Sequence, residues 1–287
     1  MKMSSIKLVG IMMIAVIGIS CSVSKDPAKE MTFEIEGEPT NEVTLSTELV
    51  WEMLNPARGN KSPLAATVWG DRKGEVATGF LVRFVDGFSS PPHIHNVSYR
   101  AVVLDGLVHN DDPDAANMWM PKGSFWTQPA GESHITSAQG EVNIAYVEID
   151  AGPYLVKSVD ESFDNGERPV NKDVSNLVWL TGESVNWIEA ASNVAVSFLW
   201  EKNETQGMFL KVPAGFEGKI FSIGNEFRAI VIDGALDYSL PGDEKSNELN
   251  PGSCFSSLNK AIHSIANTTE KEVLLYLKMD GEIYVKG

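Results

Sequence analysis

Three histidines are the residues of this chain best suited to chemistry. His93 and His95 stand one residue apart in a predicted β-strand, and His134 follows a predicted tight turn that contains Pro and Gly. Alternate side chains of a strand share a face, so His93 and His95 should point the same way. Imidazole nitrogens are good ligands for iron, zinc, copper and nickel. The pattern therefore indicates a metal site to which His134 would add a third ligand.

Short apolar runs surround these histidines and would have to position them. The runs at 77–85 and 142–149 are rich in β-branched and aromatic residues and are bounded by Gly, Asn and Asp. Such runs are typical of strands, and we find no convincing long amphipathic helical pattern. We therefore expect an all-β chain built as a sandwich or a barrel.

The sequence also contains an internal repeat. The segment 99–106 (YRAVVLDG) recurs as 227–234 (FRAIVIDG), 128 residues further along the chain. After one inserted residue, His134 matches His263. This self-similarity predicts two copies of one fold in tandem. The predicted boundaries are a first copy at 47–157, an acidic linker at 158–173 and a second copy at 174–287.

The first copy resembles the cupin superfamily in both of the motifs that define it. Where the first family motif has Gly, His-x-His, Glu and Gly, this chain has, at the family's spacing, Gly87, His93, His95, Tyr99 and Gly106. Where the second motif has Gly, Pro-x-Gly, His and Asn, this chain has Gly123, Pro129, Gly131, His134 and Ala138. The metal-binding Glu and the closing Asn are thus replaced. The resemblance implies two cupin jelly-roll barrels in tandem, a bicupin.

The resemblance also implies a metal centre at His93, His95 and His134 that lacks a carboxylate. In lacking a carboxylate, this centre is similar to that of cupins of the acetylacetone dioxygenase type, which cleave β-diketones with O₂. Three neutral imidazoles leave a divalent ion, Fe(II) or Zn(II), its full charge and open positions for a ligand. Tyr99 shares the strand parity of the histidines. It is therefore either a catalytic hydrogen-bond or proton donor to a bound substrate or an aromatic residue of the core.

The second copy lacks this ligand set. Its residues at the three positions of the first motif are Phe221, Ile223 and Phe227, and only His263 is retained. One imidazole does not hold a metal ion, so we expect the second barrel to be metal-free and filled by these apolar side chains.

Two polar residues near the motifs have simpler interpretations. Glu132 lies in the turn beside His134 and could supply a carboxylate, but a solvated surface position is the favoured interpretation. His109 lies next to Asn and Asp, which predicts a histidine in a surface loop.

The N-terminus is typical of a secretory leader. A short basic stretch precedes an apolar run at 8–19, which is too short to span a bilayer comfortably. Cys21 follows Gly-Ile-Ser, which resembles a bacterial lipoprotein cleavage box; the alternative is an ordinary leader and an unrelated cysteine. We predict a signal peptide at 1–20, lipidation of Cys21 and a flexible tether at 21–46. The predicted location is the bacterial cell envelope.

Composition limits the partners of the chain. The formal charge of the 287 residues is −16, and removal of residues 1–20 takes away two lysines and no acid, which gives −18. This acidity argues against nucleic acid, because phosphate binding needs clustered Lys and Arg. If Cys21 is acylated, Cys254 has no cysteine partner within the chain.

These features together predict a secreted, lipid-anchored protein with one divalent metal ion in its first barrel. The predicted activity is a metal-dependent oxygenation of a small chelating substrate. A non-catalytic module that binds or senses a metal or small ligand is the alternative, and a structural lipoprotein is a third class. The expected partners are a small molecule and, through the anchor, a membrane, and the chain could also form a homodimer.

Overall fold

The computed structural model describes residues 33, 35 and 37–287, and the regular structure in this part of the chain is mostly antiparallel β-strand. Its helical segments are short 3-10 turns, of which the longest, Pro56–Lys61, has 6 residues. Within the described residues, no helix has the length and apolar character needed to cross a membrane. The predicted signal peptide and Cys21 lie outside these residues.

The strands are short except for two long ones in the first half of the chain. Those of the first half are β1 (Glu42–Thr44), β2 (Glu52–Met53), β3 (Leu64–Trp69), β4 (Thr78–Phe84), β5 (Ile94–His95), β6 (Tyr99–Asp111), β7 (Met120–Pro121), β8 (Phe125–Gln128), β9 (Ile135–Ile149) and β10 (Val156–Lys157). Those of the second half are β11 (Val170–Lys172), β12 (Leu180–Thr181), β13 (Ala195–Lys202), β14 (Thr205–Val212), β15 (Glu217–Ile223), β16 (Glu226–Asp233), β17 (Leu236–Ser239), β18 (Asn247–Leu249), β19 (Cys254–Leu258), β20 (Ala261–Ala266), β21 (Val273–Asp280) and β22 (Glu282–Lys286).

The first barrel is built around the long pair β6 and β9. Its main sheet has the order β11-β8-β6-β9-β4-β3-β2, with β7 beside β6, and β5 pairs with β10. The pairing of β6 with β9 changes register on both sides of Asp105. Gly106 lies at this bend with φ 76°, and a Cβ there would lie 2.1 Å from Oδ1 of Asn143. The bend lets one strand pair contribute to both faces of the barrel.

The second barrel repeats this arrangement with the long strands divided. Its sheets have the orders β1-β19-β16-β21-β14-β13-β12 and β18-β17-β20-β15-β22. Strands β16 and β17, separated at Gly234, take the place of β6, and β20 and β21 take the place of β9. The predicted fold class, an all-β chain of two jelly-roll barrels, is confirmed.

Two short strands are exchanged between the barrels, which differs from the predicted boundaries. We placed 42–44 in the tether and 170–172 in the linker. In the structure β1 pairs with β19 of the second barrel, and β11 pairs with β8 of the first. The two strands are 128 residues apart, so they are equivalent in the repeat. A strand of three residues has too little alternation to be recognised by pattern, and its pairing is set by the distant sheet edge that it covers.

The barrels pack on each other through an apolar layer that contains a buried polar group. Phe209 and Leu199 of the second barrel and Val102 and Phe125 of the first belong to one buried cluster. Within this layer the fully buried carboxylate of Glu148 accepts hydrogen bonds from the hydroxyls of Tyr276, at 2.7 Å, and Tyr146, at 3.2 Å. These partners satisfy a polar group that would otherwise be costly to bury.

Candidate metal centre

Backbone pairing fixes the three predicted histidines at one end of the first barrel. The backbone N–H of His93 donates to the carbonyl of His134 at 3.1 Å, and the N–H of His134 donates back at 3.0 Å. His95 lies in β5, and its carbonyl accepts from the N–H of Gly131 at 2.9 Å. Gly131 has φ 79°, a conformation that glycine adopts readily and that turns the chain into His134. The two sequence motifs are thus joined by main-chain hydrogen bonds.

The hydrogen bonds of the rings determine which nitrogen is available for a metal. Nδ1 of His93 lies 3.0 Å from the carbonyl of Pro91, and Nδ1 of His95 lies 3.1 Å from the carbonyl of Leu155. Nδ1 of His134 lies 3.2 Å from the carbonyl of Glu132. A carbonyl can only accept, so each Nδ1 carries the proton and each Nε2 carries a lone pair. This outer arrangement is the one that orients metal-binding imidazoles.

The Nε2 atoms of the three histidines lie close together, and the described residues do not provide a hydrogen-bond donor for each of them. Nε2 of His93 and Nε2 of His95 are 3.2 Å apart, although both are acceptors in this tautomer. Nε2 of His134 is buried and has no hydrogen-bond partner among the described residues. One ligand nitrogen from each ring lies within 4.8 Å of the others. When two imidazoles bind the same ion at about 2.0–2.1 Å, their nitrogens are separated by a distance similar to that between Nε2 of His93 and Nε2 of His95. The residues present therefore fit a divalent metal ion.

Burial keeps the imidazoles neutral and so able to ligate. Desolvation, with a smaller contribution from His93, lowers the pKa of His134 to about 3. Desolvation and the two neighbouring imidazoles hold the pKa of His95 well below its usual range. The pKa of His93 is also lowered, mainly by burial and in part by the charge of Arg58. Protons therefore compete weakly with a metal at this site.

Tyr99 lies in the wall beside the histidines, with its hydroxyl committed to a polar network. Its ring centroid is 5.4 Å from that of His95, and its hydroxyl donates to Oδ1 of Asn110 at 2.9 Å. The same Oδ1 accepts from Thr136 at 2.7 Å, and the amide of Asn110 donates to Gln128 at 2.9 Å. Burial raises the pKa of Tyr99 above its usual range. Tyr99 thus lies at the predicted place as a buried, protonated phenol.

Tyr154 is a site residue that the sequence analysis missed. Its hydroxyl lies 3.0 Å from Nε2 of His95, and its ring stacks on the imidazole with centroids 4.2 Å apart. Because Nδ1 of His95 carries the proton, the hydroxyl of Tyr154 donates to Nε2. Burial raises the pKa of Tyr154 well above its usual value. The local sequence Gly152-Pro153-Tyr154 indicates only a turn, so no motif pointed to this contact.

A cavity of about 170 Å³ opens beside the histidines. The polar residues of its lining include Arg58, His93, His95, Tyr99 and Tyr154. Its remaining walls are largely apolar, and include Leu54, Val82, Phe84, Phe88, Trp126 and Val147. A concave, largely apolar space with a few polar groups is typical of a small-molecule site.

The structure also tests the surface positions predicted for Glu132 and His109. Glu132 is half-buried in the turn, and its carboxylate is not part of the three-histidine group. The prediction of a surface loop for His109 is wrong, because this residue lies in β6 and is 1% exposed. Its Nδ1 lies 3.3 Å from the backbone N and O of Met118, and its ring packs on Trp119. The Asn and Asp that follow His109 extend the strand instead of ending it.

The second barrel replaces the site with a satisfied buried histidine. Nδ1 of His263 accepts from Tyr238 at 2.9 Å and lies 3.3 Å from the amide nitrogen of Asn41. Its Nε2 donates to the hydroxyl of Ser257 at 3.1 Å, and its ring stacks on Phe227. His263 therefore has the opposite tautomer to His134 and no free lone pair that faces a second imidazole.

The prediction that Phe221 and Ile223 fill this barrel is wrong. Ile220 pairs with His263 as His93 pairs with His134, and Ile220 and Ser222 are the buried residues of β15. The interval from Ile220 to Phe227 is one residue longer than the equivalent interval from His93 to Tyr99 in the first copy. A shift of one residue turns every side chain of a strand to the other face.

The sequence as a whole matches one described family. Residues 42–286 match a family model described as a domain of unknown function, DUF4437. The chain belongs to the DUF4437 family. The matched region of this DUF4437 chain includes both barrels and all three histidines. No curated protein matches the sequence.

Solved structures resemble the chain across both barrels. A candidate dioxygenase from Nostoc punctiforme aligns with a TM-score of 0.65 at 13% identity, over 85% of this chain and 84% of its own. Salicylate 1,2-dioxygenase from Pseudoaminobacter salicylatoxidans aligns with a TM-score of 0.57 at 13% identity, over 90% and 88% of the two chains. Oxalate decarboxylase from Lactobacillus farciminis aligns with a TM-score of 0.58 at 11% identity, over 88% and 90%. At these identities the likeness shows the fold, and it confirms the cupin resemblance at that level.

Proposed function

We propose that this chain is a metal-dependent oxygenase that binds one divalent ion at His93, His95 and His134 and acts on a small chelating molecule. The observation that carries the proposal is the approach of two acceptor atoms, Nε2 of His93 and Nε2 of His95, to 3.2 Å. Apart from that neighbouring ring, the described residues offer no donor to Nε2 of His93, and a cation between the two nitrogens would satisfy both lone pairs. Nε2 of His134 is buried and has no hydrogen-bond partner among the described residues, so the same cation would satisfy it as well.

The donor set favours a reactive centre over a closed structural one. Three neutral imidazoles do not offset the charge of a divalent ion, and they leave coordination positions for a ligand. Bound there, Zn(II) would supply Lewis acidity, and Fe(II) would also supply reactivity towards O₂. The chain itself supplies a largely apolar cavity, in which electrostatic interactions are stronger than in bulk water.

Tyr154 is the residue best placed to hold a proton next to a bound ligand. Its hydroxyl is within hydrogen-bond distance of the nitrogen at which an ion would bind, and burial keeps the phenol protonated. It can therefore donate a hydrogen bond to a substrate oxygen on which negative charge develops. The role predicted for Tyr99 remains a prediction, since its proton is directed to Asn110.

Other proteins support oxidation as the reaction class. The site resembles cupins of the acetylacetone dioxygenase type in having three histidines and no carboxylate. The structures of similar fold include salicylate 1,2-dioxygenase and a candidate dioxygenase. These likenesses support a reaction with O₂. They do not identify the substrate, for which the properties of the cavity are the guide.

Tyr154 also favours a second candidate function, a non-catalytic module that holds or senses a metal. Its oxygen lies 3.0 Å from Nε2 of His95 and could become a fourth protein ligand. A fourth protein ligand closes a metal site, as in structural zinc centres. The two functions therefore differ in whether the phenol oxygen binds the ion.

Metal analysis and spectroscopy of the purified protein test the proposed function. We expect about one ion per chain after loading with Fe(II) under exclusion of O₂. Addition of acetylacetone as a chelating probe should change the absorption spectrum, and O₂ should then be consumed. Absence of a bound ion would refute metal binding. A bound Fe(II) whose spectrum responds to neither the probe nor O₂ would refute the oxygenase and favour the closed module.

The cellular location of the protein is a separate proposal. The predicted leader and the Gly-Ile-Ser-Cys sequence at 18–21 support export and lipidation at Cys21. The small molecule on which the site acts would then be met in the cell envelope. The homodimer stays a prediction, which light scattering of the purified chain would test.

A further inference from the structure

Arg58 gives the cavity a fixed positive charge. Among the described residues that line the cavity, Arg58 is the sole permanently charged one, and none is an Asp or Glu. The side chain is half-buried and comes from the turn Pro56–Lys61, which lies outside both cupin motifs. A guanidinium at the wall of an apolar cavity marks a position at which an anion would be stabilised.

The turn that carries Arg58 is held in a fixed shape by its own hydrogen bonds. The side chain of Asn55 accepts from the N–H of Ala57 at 3.1 Å, and the N–H of Asn55 donates to the hydroxyl of Ser62 at 2.8 Å. The N–H of Arg58 donates to the carbonyl of Asn55 at 3.0 Å. These hydrogen bonds hold the backbone of Arg58 beside the cavity, and none of them uses its guanidinium.

The guanidinium of Arg58 has no anionic partner in the described part of the chain. It forms no ion pair and no side-chain hydrogen bond with residues 33, 35 or 37–287, whereas Arg72, Arg100, Arg168 and Arg228 each pair with a carboxylate there. The chain is strongly acidic overall, so carboxylates are abundant. An arginine left unpaired on such a protein, and at a cavity, has five donors available for a ligand.

From this arrangement we infer that the cavity binds a small carboxylic acid, with the carboxylate on the guanidinium of Arg58 and a second oxygen directed to the three-histidine site. The inference rests on the proposed metal function for its second contact. A divalent ion on neutral imidazoles and the nearby Arg58 together carry +3, and no carboxylate among the described lining residues offsets that charge. An anionic, chelating ligand complements the site electrostatically, whereas a neutral one leaves Arg58 unpaired.

The size and walls of the cavity limit the rest of the ligand. A volume of about 170 Å³ favours a small molecule. Phe84, Phe88 and Trp126 line it with aromatic surface. The ligand is therefore a compact acid with an apolar or aromatic body, and a long or highly charged molecule does not fit.

Binding of benzoate and benzamide tests the inference, because these probes have nearly the same shape and differ in charge. Affinities would be measured by calorimetry on the zinc-loaded and the metal-free chain, since zinc supports no turnover with O₂. We expect benzoate to bind at least about tenfold more tightly than benzamide. Arg58→Met should abolish this preference on the metal-free chain and reduce it on the zinc-loaded chain, without changing zinc content. Arg58→Lys should retain part of it, because lysine keeps the charge but loses the planar fork.

Lys61→Met is the matched control for charge. Lys61 is an exposed cation of the same turn and does not line the cavity, so its loss should leave both affinities unchanged. Equal benzoate affinity in the wild type and in Arg58→Met would overturn the inference, as would equal affinity of the wild type for the two probes. Failure of the chain to bind zinc would instead refute the proposed metal function. In that case the Arg58 dependence measured on the metal-free chain would still decide the role of Arg58.

Discussion

The hydroxyl oxygen of Tyr154 lies 3.0 Å from Nε2 of His95, and the two rings are stacked with centroids 4.2 Å apart. The hydrogen bond and a metal ion would compete for the same lone pair on this nitrogen. Because the stacked ring holds the phenol in place, a hydroxyl displaced by the ion would remain next to it. The contact thus links metal binding to the availability of a proton donor in the cavity.

Changing Tyr154 to Phe tests the role of this hydroxyl. The ring and its stacking are kept, so we expect the affinity for Fe(II) or Zn(II) to change by less than about tenfold. If the hydroxyl donates to a substrate oxygen, O₂ consumption should fall by about a hundredfold. Metal titration and oxygen uptake measure the two effects separately. A loss of metal with no further effect on the remaining active fraction would identify Tyr154 as a ligand instead.

Changing Tyr99 to Phe provides a second buried phenol for comparison. Removal of its hydroxyl leaves Oδ1 of Asn110 with Thr136 as a donor, so we expect the free energy of unfolding to fall by about 1–2 kcal/mol. Metal content should be unchanged, because the hydroxyl contacts no ligand nitrogen. Urea denaturation and metal analysis provide the measurements. Turnover that falls as far as in Tyr154→Phe would establish the catalytic role that the sequence predicted for Tyr99.

Changing Cys21 to Ser tests the predicted lipid anchor. Serine cannot form the thioether that carries the lipid, so the variant should move from the membrane to the soluble fraction in detergent partitioning. Cys254→Ser is the matched control, because Cys254 is buried in the fold and 3% exposed, and this variant should stay with the membrane. A Cys21→Ser variant that still partitions with membranes would contradict lipidation at this residue.

Two of the three histidines were predictable from local geometry, and His134 was added through the resemblance to the second cupin motif. Alternation places His93 and His95 on one face, and the turn before His134 is encoded by its Pro and Gly. Tyr154 was not predictable in this way, because it reaches His95 only when the chain returns after 59 residues. Arg58 also lies outside every motif, and its importance depends on a cavity that only the assembled barrel creates.

The errors in the second barrel and at its boundaries have one physical origin. The repeat identified the two barrels, but a single extra residue before Phe227 changed which side chains of β15 face inward. Strands β1 and β11 were missed because their pairing partners lie in the opposite barrel. Register and strand exchange depend on long-range packing, which a local pattern does not contain.

The pH dependence of stability should reveal the buried histidines in the metal-free chain. Burial lowers the pKa of His263 to about 3, whereas an unfolded histidine titrates near 6.5. The unfolded chain therefore binds more protons than the native chain below that pH, and stability is lost as the pH falls from about 6.5 towards 3. Each such histidine contributes a slope of about 1.4 kcal/mol per pH unit in this window. Denaturant unfolding between pH 4 and 6 should show a slope that is smaller by about this amount in His263→Gln, and an identical slope would contradict the neutral buried state of His263.

Metal binding should be confined to the first barrel, because the two equivalent histidines have opposite tautomers. His134 leaves Nε2 free, whereas His263 uses both ring nitrogens in hydrogen bonds with Tyr238 and Ser257. We expect the wild type and His263→Gln to bind about one ion each. His93→Ala or His134→Ala should weaken binding by at least about a hundredfold, since two imidazoles with no carboxylate hold a divalent ion poorly. Metal content after dialysis, measured for the four proteins in parallel, decides the matter. Two ions in the wild type, or loss of an ion in a folded His263→Gln chain, would place a metal in the second barrel and refute the assignment.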